Sequence, residues 1–263
     1  MPRVERAAVA TIGRDGVDDA LARLRALATR CDVDLVDGDD ADVAIVLGGD
    51  GTMLRALARF LGTGVPVVGV NYGRVGFLTA IPADSLEEGV GRVFAGEYRT
   101  VELSTLEVDV AGETRTAVND VVVAGGIGRM IELGYSIGGE DLGSQPCDGL
   151  ICATPTGSTA YNLSNGGPVL VWGLDAMVLT FVAPHALHIR PLVVPRGPDV
   201  VVTSLTGGLE TTVLVDGQTV GTLAEGERAV VRIGERTSLL ATLPEVTFFT
   251  RYGATFGAGS GSQ

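Results

Sequence analysis

Asp50 stands in Gly48-Gly49-Asp50-Gly51-Thr52, where an apolar run ends and a helical pattern begins. Three glycines let the backbone turn freely and leave its N–H groups uncovered. Strand, glycine turn and helix in succession aim those N–H groups, and a positive dipole end, at an anion. A carboxylate in such a loop repels a bare phosphate. Asp50 must therefore hold a metal, accept a proton or face elsewhere. The loop alone does not decide among these, because Asp and Thr are also ordinary helix N-caps and glycine an ordinary turn residue.

Other residues with chemical potential follow in order. Asn119-Asp120 sets an amide beside a carboxylate in the strand-like run 117–123. Asp148-Gly149 leads through Leu150-Ile151-Cys152-Ala153 into Thr154-Pro155-Thr156-Gly157-Ser158-Thr159-Ala160-Tyr161, a loop dense in hydroxyls. Those hydroxyls suit a ligand, or simply a helix N-terminus. Asp216-Gly217, before Gln218, taken alone is a type I′ turn pair. His185 and His188 are three apart but have no obvious carboxylate partner, so surface or packing roles fit better than metal binding. Gly126-x-Gly128 before Arg129 falls short of a dinucleotide fingerprint and lacks its strand–helix context.

The elements that must position these residues are legible from periodicity. Residues 7–12, 31–36, 43–47 and 65–70 are short apolar strands. Residues 17–29, 53–61 and 85–94 carry apolar side chains at helical spacing. Such alternation implies parallel pairing with right-handed crossovers, and ligands at the strands' C-terminal ends. The second glycine-bearing loop there is Asn71-Tyr72-Gly73-Arg74-Val75-Gly76-Phe77-Leu78. From about residue 98 the period becomes two. Short strands are expected near 102–110, 116–123, 150–153, 176–183, 192–194, 200–204, 212–215, 227–233 and 239–243, with little helix beyond one beginning near Thr159. The expected class is α/β plus all-β. Residues 1–97 form the α/β domain and 98–245 the β-rich domain. The aromatic segment 246–256 docks somewhere specific, and 257–263 is a disordered tail.

Composition narrows the function. The 263 residues carry 19 basic and 32 acidic side chains, a net charge of −13, and every basic residue is Arg. Without lysine there is no Walker-type phosphate Lys and no Schiff base. The acidic balance argues against a nucleic-acid groove. No apolar run approaches the roughly 18 residues that cross a bilayer, and no secretory leader opens the sequence, so a cytoplasmic protein is expected. Cys31, Cys147 and Cys152 lack C-x-x-C spacing and read as reduced, buried thiols.

Taken in order, these motifs resemble the NAD kinase family, over roughly residues 41 to 220. The resemblance rests on Gly48-Gly49-Asp50-Gly51-Thr52, Asn71-x-Gly73-x-x-Gly76-Phe77-Leu78, Asn119-Asp120, Asp148-Gly149 and the Thr154-to-Tyr161 loop. Gly166-Gly167-Pro168, Arg190-Pro191 and Asp216-Gly217-Gln218 complete it. The Thr-rich loop is the most specific part; the glycine–Asp loop is shared with phosphofructokinases and with diacylglycerol and sphingosine kinases.

The resemblance implies an enzyme that moves the terminal phosphate of ATP or polyphosphate to the adenosine ribose 2′-hydroxyl of NAD. It implies Asp50 as the base, with Gly48, Gly49 and Thr52 as the donor phosphate loop. Gly51 shares that cradle and, with Arg55 and Phe77, is matched to the NAD side. Asn119, Asp120, Thr159, Ala160, Tyr161 and Ser164 would bind the adenosine part. Asp148, Ala183 and Gln218 match further NAD contacts, some reached across a subunit interface, so a homodimer or homotetramer is implied. Mg²⁺ or another divalent ion would come with the donor's phosphates, with no protein metal cage. The implied fold returns its last segment to the first domain. Pro146 stands where many relatives carry a basic residue, and Asp120 where many carry Glu. Two other readings remain open at this stage: a lipid or sugar kinase sharing only the glycine–Asp loop, and a non-catalytic NAD(P)-binding sensor.

Overall fold

The computed structural model describes residues 1–11, 17–73, 76–126, 129–186 and 188–257. The expectations for Ile12, for Arg74 and Val75 of the second glycine loop, for Gly128, and for the tail from 258 onward lie outside the described residues. The chain forms two compact units, one of Met1–Glu102 with Ser238–Gln263 and one of Leu103–Thr237.

The first unit is built on a seven-stranded sheet. Its order is Asp34–Val36, Arg6–Thr11, Val43–Gly48, Val67–Asn71, Ser238–Thr242 and Arg99–Leu103, with Ile81–Pro82 paired to Val67–Asn71. Neighbours from Asp34–Val36 to Ser238–Thr242 run parallel, as the alternation with helices requires. Val43, Ala44, Ile45, Val46 and Leu47 are all buried, the pattern of a strand covered on both faces. Leu24 and Leu27 of helix Val17–Cys31 and Val90, Val93 and Phe94 of helix Leu86–Phe94 pack into the same core. Cys31 therefore ends a helix instead of opening a strand, and it is half-buried, not buried. The helix after the first glycine loop begins earlier than its apolar periodicity suggests, spanning Asp50–Arg59 with Gly49 as N-cap. The apolar pattern starts at Met53 only because the first turn, Asp50-Gly51-Thr52, carries no apolar side chain.

The second unit is a pair of six-stranded antiparallel sheets. One runs Glu140–Cys147, Ile131–Ile137, Val200–Ser204, Arg228–Ile233, Leu106–Val110 and Glu113–Ala117. The other runs Leu192–Pro195, Ala176–Val182, Gly149–Ala153, Asp120–Ala124, Thr211–Val215 and Gln218–Leu223. Alternate residues of both sheets, among them Val108, Val123, Leu150, Val202, Val213 and Val231, meet in one core. The outer face of the second sheet is covered in part by Leu170, which packs on Val122, Ile151 and Val178. Strand Gly149–Ala153 is consequently buried throughout.

The hairpin Ile131–Ile137/Glu140–Cys147 and the strand Gln218–Leu223 are absent from the sequence reading. Gly134, Gly143 and Pro146 lower strand propensity there, and Glu140–Cys147 is an edge strand with little to bury. The run 117–123 is not one strand. It breaks at Val118-Asn119, between Glu113–Ala117 and Asp120–Ala124. The helix expected from Thr159 is a single 3₁₀ turn, Gly157–Thr159, followed by the short helix Tyr161–Ser164. No helix of the described residues is long and apolar enough to cross a membrane.

Candidate active site

The first glycine loop leaves the buried strand Val43–Gly48 and turns at Gly49 directly into helix Asp50–Arg59. Asp50 is thus the first helical residue, where a carboxylate interacts favourably with the helix dipole. Its side chain does not point at the open loop alone. The Phe77 N–H donates to Asp50 Oδ2 at 2.6 Å, and the Leu78 N–H donates to Oδ1 at 3.0 Å. The two glycine loops are therefore joined through this one carboxylate. Each oxygen retains lone-pair capacity after accepting one N–H, so a further O–H can be accepted.

The glycines of these loops serve different needs. A Cβ at Gly76 would overlap the Asp50 carboxylate, and one at Gly48 would overlap Thr52. Both glycines are demanded by the protein's own packing. A Cβ at Gly49 or Gly51 would meet nothing within 4 Å. The protein leaves space beside these two, next to a helix start whose first N–H groups have no intrahelical acceptor. Thr52 is buried beneath the loop, whereas Arg55 is exposed one turn further on. Phe77 is only 7% exposed; Phe248 meets its ring edge-on at 5.4 Å and Phe256 stacks on it at 6.1 Å.

In the second unit, Asp216 organises a different cluster. It sits with Gly217 in a turn where both have positive φ, 48° and 78°, closing the pairing of Val215 with Gln218. Its carboxylate accepts the N–H groups of Val118, Asn119 and Asp120 at 2.9, 2.7 and 3.2 Å. That is why the backbone can break at Val118-Asn119 without orphaned donors. Thr154 ties the Thr-rich loop to the same place, its hydroxyl donating to Val118 O at 2.7 Å and its N–H to Asn119 O at 2.8 Å. Gly157 lies so close to the Asn119 carbonyl that no Cβ would fit. Further along, Ser158 accepts the Leu170 N–H at 2.9 Å, and Asn162 links Ser158 O, Pro168 O and the Thr180 hydroxyl.

Asp120 is 6% exposed, and its carboxyl is pushed up to about 7, chiefly by burial and then by the neighbouring Asp216 charge. Burial raises Asp216 too, against the opposing pull of its three N–H donors. The Asn119 Oδ1 and Thr156 Oγ1 atoms are buried with no partner among the described residues. Such atoms call for a ligand or a water. Around them Thr159 and Ala160 are half-buried, while Tyr161 (46% exposed), Ser164 and Gln218 present themselves at the surface.

Asp148 and Ala183 are not part of this cluster. Strand Gly149–Ala153 pairs Gly149 with Val182 and Ala124 at one end, and Ala153 with Val178 and Asp120 at the other. Asp148 and Ala183, both exposed and the latter at φ 45°, therefore lie at the opposite end of the sheet from Asn119, Asp120 and Thr154. At about 3.3 Å per residue, the strand separates them by roughly 15 Å. Sequence reasoning missed Asp216 and Arg251. The Asp-Gly pair reads as a turn with no hint of where the carboxylate reaches, and Arg251 is the one cation in the aromatic segment.

The chain is similar to known proteins along most of its length. Residues 5–98 match the ATP-NAD kinase N-terminal domain and residues 118–243 the ATP-NAD kinase C-terminal domain. An NAD kinase of Gemmatimonas aurantiaca is 42% identical over 225 residues, 83% of this chain and 78% of that protein. One of Ralstonia nicotianae is 45% identical over 203 residues, 75% and 67% of the two chains. Among solved structures, an NAD kinase from Archaeoglobus fulgidus in complex with ATP superposes with a TM-score of 0.78 at 26% identity, over 96% of this chain and 97% of that one. Yeast NADH kinase complexed with NADH shares the fold, with a TM-score of 0.88 at 19% identity, over 99% and 89% of the chains. With two family domains matched in order and relatives above 40% identity across most of the chain, this protein belongs to the NAD kinase family of phosphotransferases.

Proposed function

We propose that Asp50 is the general base that takes the proton of the adenosine ribose 2′-hydroxyl of NAD as that oxygen attacks the terminal phosphate of ATP or polyphosphate. The observation that carries this is the carboxylate held at a helix start by the Phe77 and Leu78 N–H groups, beside two glycines that the protein's own packing does not require. Phosphoryl transfer needs positioning, charge neutralisation and an acceptor near the attacking oxygen. Gly48, Gly49, Gly51 and Thr52 supply the donor cradle, and Arg55 a cation one turn on.

Asn119, Asp120, Thr159, Ala160, Tyr161, Ser164 and Gln218 hold the adenosine part of NAD. The unpartnered Asn119 Oδ1 and Thr156 Oγ1 supply acceptors and donors already desolvated. Asp148 and Ala183, at the far end of the sheet, serve the NAD of a neighbouring copy, which supports a homodimer or homotetramer. Phe77 acts from beneath the site, since its ring is covered by Phe248 and Phe256.

Among the described residues no three His, Cys, Asp or Glu side chains gather as a metal cage. A divalent cation would be held mainly by the donor's phosphates, with Asp50 the one acid of the first glycine loop. Bound in that way, such a cation neutralises phosphate charge.

The test is Asp50→Asn, assayed for NADP formation. Asn can accept only one of the two loop N–H groups, a loss worth roughly tenfold by itself. Loss of a general base costs about 10²–10⁴-fold. A fall in kcat beyond about 10²-fold with the KM for NAD largely kept supports Asp50 as base. A fall of tenfold or less leaves it a loop anchor only. Absence of NADP from the wild type with every donor tried, despite NAD binding, would favour a sensor.

A further inference from the structure

The C-terminal helix Phe248–Phe256 presents Arg251, 6% exposed, into the first unit. The helix start is well defined. Thr247 and Thr250 form a reciprocal capping box, and the turn before it is held by the Arg92–Glu245 ion pair at 2.5 Å. Arg251 Nη1 donates to Phe77 O at 2.5 Å and to Thr79 O at 2.9 Å, and Nη2 to the Thr242 hydroxyl at 3.4 Å. Phe77 is the residue whose N–H donates to Asp50. One residue thus has its N–H on the carboxylate, its carbonyl on the guanidinium, and its ring packed by two aromatics of the same helix. Asp50 and Arg251 also attract one another electrostatically.

We propose that Arg251 is a positioning residue for the reaction, fixing residues 77–79 so that their N–H groups hold the Asp50 carboxylate in its reactive orientation. Nothing in this arrangement brings Arg251 to a substrate. Arg251 donates to the Phe77 and Thr79 carbonyls and to the Thr242 hydroxyl, and its influence on the carboxylate passes through residues 77–79. The proposal rests on the reading of Asp50 as base, and it makes the last helix a working part of the site.

The test is Arg251→Gln and Arg251→Lys, read by steady-state kinetics and by hydrogen exchange at the Phe77 and Leu78 amides. Gln cannot reach both carbonyls with a charge-assisted donor. For Arg251→Gln, kcat should fall by about 10–10²-fold, the KM for NAD should change by less than about threefold, and exchange at both amides should speed up. Lys offers three donors on a point charge and should recover much of both readouts. Unchanged kcat overturns the proposal, whether or not exchange rises. So does a KM effect without a kcat effect. If Arg251→Gln does not fold, Arg251→Lys carries the decision on the same readouts, with an intermediate kcat and partial amide protection expected. If instead Asp50→Asn retains turnover, the base reading fails, while exchange at Phe77 and Leu78 still reports whether Arg251 holds the loop.

Discussion

Asp50 and Asp216 use the same device and differ in its purpose. Each is an aspartate whose carboxylate gathers backbone N–H groups from a distant loop, two for Asp50 and three for Asp216. Asp50 is half-exposed, starts a helix, and has a buried arginine as electrostatic partner. Asp216 instead neighbours a second carboxyl, Asp120, whose proton its charge helps to retain. A carboxylate with spare lone pairs, a cation nearby and open glycines beside it is arranged to act on a substrate. One that accepts three N–H groups of a single backbone break is arranged to hold the backbone at Asn119 and Asp120. On the proposed reading, the same chemistry serves reaction in one unit and architecture in the other.

Three substitutions sharpen that contrast beyond the loss expected for Asp50→Asn. Asp216→Ala leaves three N–H groups without their acceptor and should destabilise the chain by about 2–4 kcal/mol, seen in denaturant unfolding. A cost below about 1 kcal/mol would show that water replaces the carboxylate and that its role is not architectural.

Asp120 gives a pH signature. Its folded value near 7 lies above the usual value of about 4, so the folded chain holds a proton that the unfolded chain releases. Fewer protons bound on unfolding means that stability falls as pH rises from about 4 through about 7. Asp120→Asn should flatten that dependence by on the order of 1–2 kcal/mol, measured as unfolding midpoints across pH 4–8. An unchanged slope would move the proton elsewhere.

The smallest effect on stability is expected at Gly51. Its added Cβ meets no protein atom within 4 Å, so Gly51→Ala should leave the fold unchanged or stabilise it by up to about 0.5–1 kcal/mol. It should nonetheless raise the KM for NAD or for the phosphate donor. Stability and both KM values unchanged together would remove Gly51 from the cradle.

Much of this was legible beforehand because its causes are local. The strand Val43–Gly48 announces itself by an unbroken apolar run, and Gly48-Gly49-Asp50-Gly51-Thr52 by residue types that few backbones need in that order. The start of the helix is hidden from apolar periodicity because Asp50, Gly51 and Thr52 contribute no apolar side chain. The hairpin Ile131–Ile137/Glu140–Cys147 escaped notice because an edge strand buries too little to impose alternation.

The sequence by itself determined the alternation of strands and helices in the first unit, the change from a period of 3.6 to a period of two near residue 98, and the motifs that mark the family. These depend on neighbours within a few positions. Only the tertiary structure decided that Ser238–Thr242 would join the first unit's sheet beside Val67–Asn71, and that Asp216 would reach Val118, Asn119 and Asp120. Only it set Arg251 against Phe77, 174 residues away. Strand insertion, carboxylate reach and arginine burial are settled by which surfaces meet after the chain has folded back on itself, and no spacing along the chain encodes that distance.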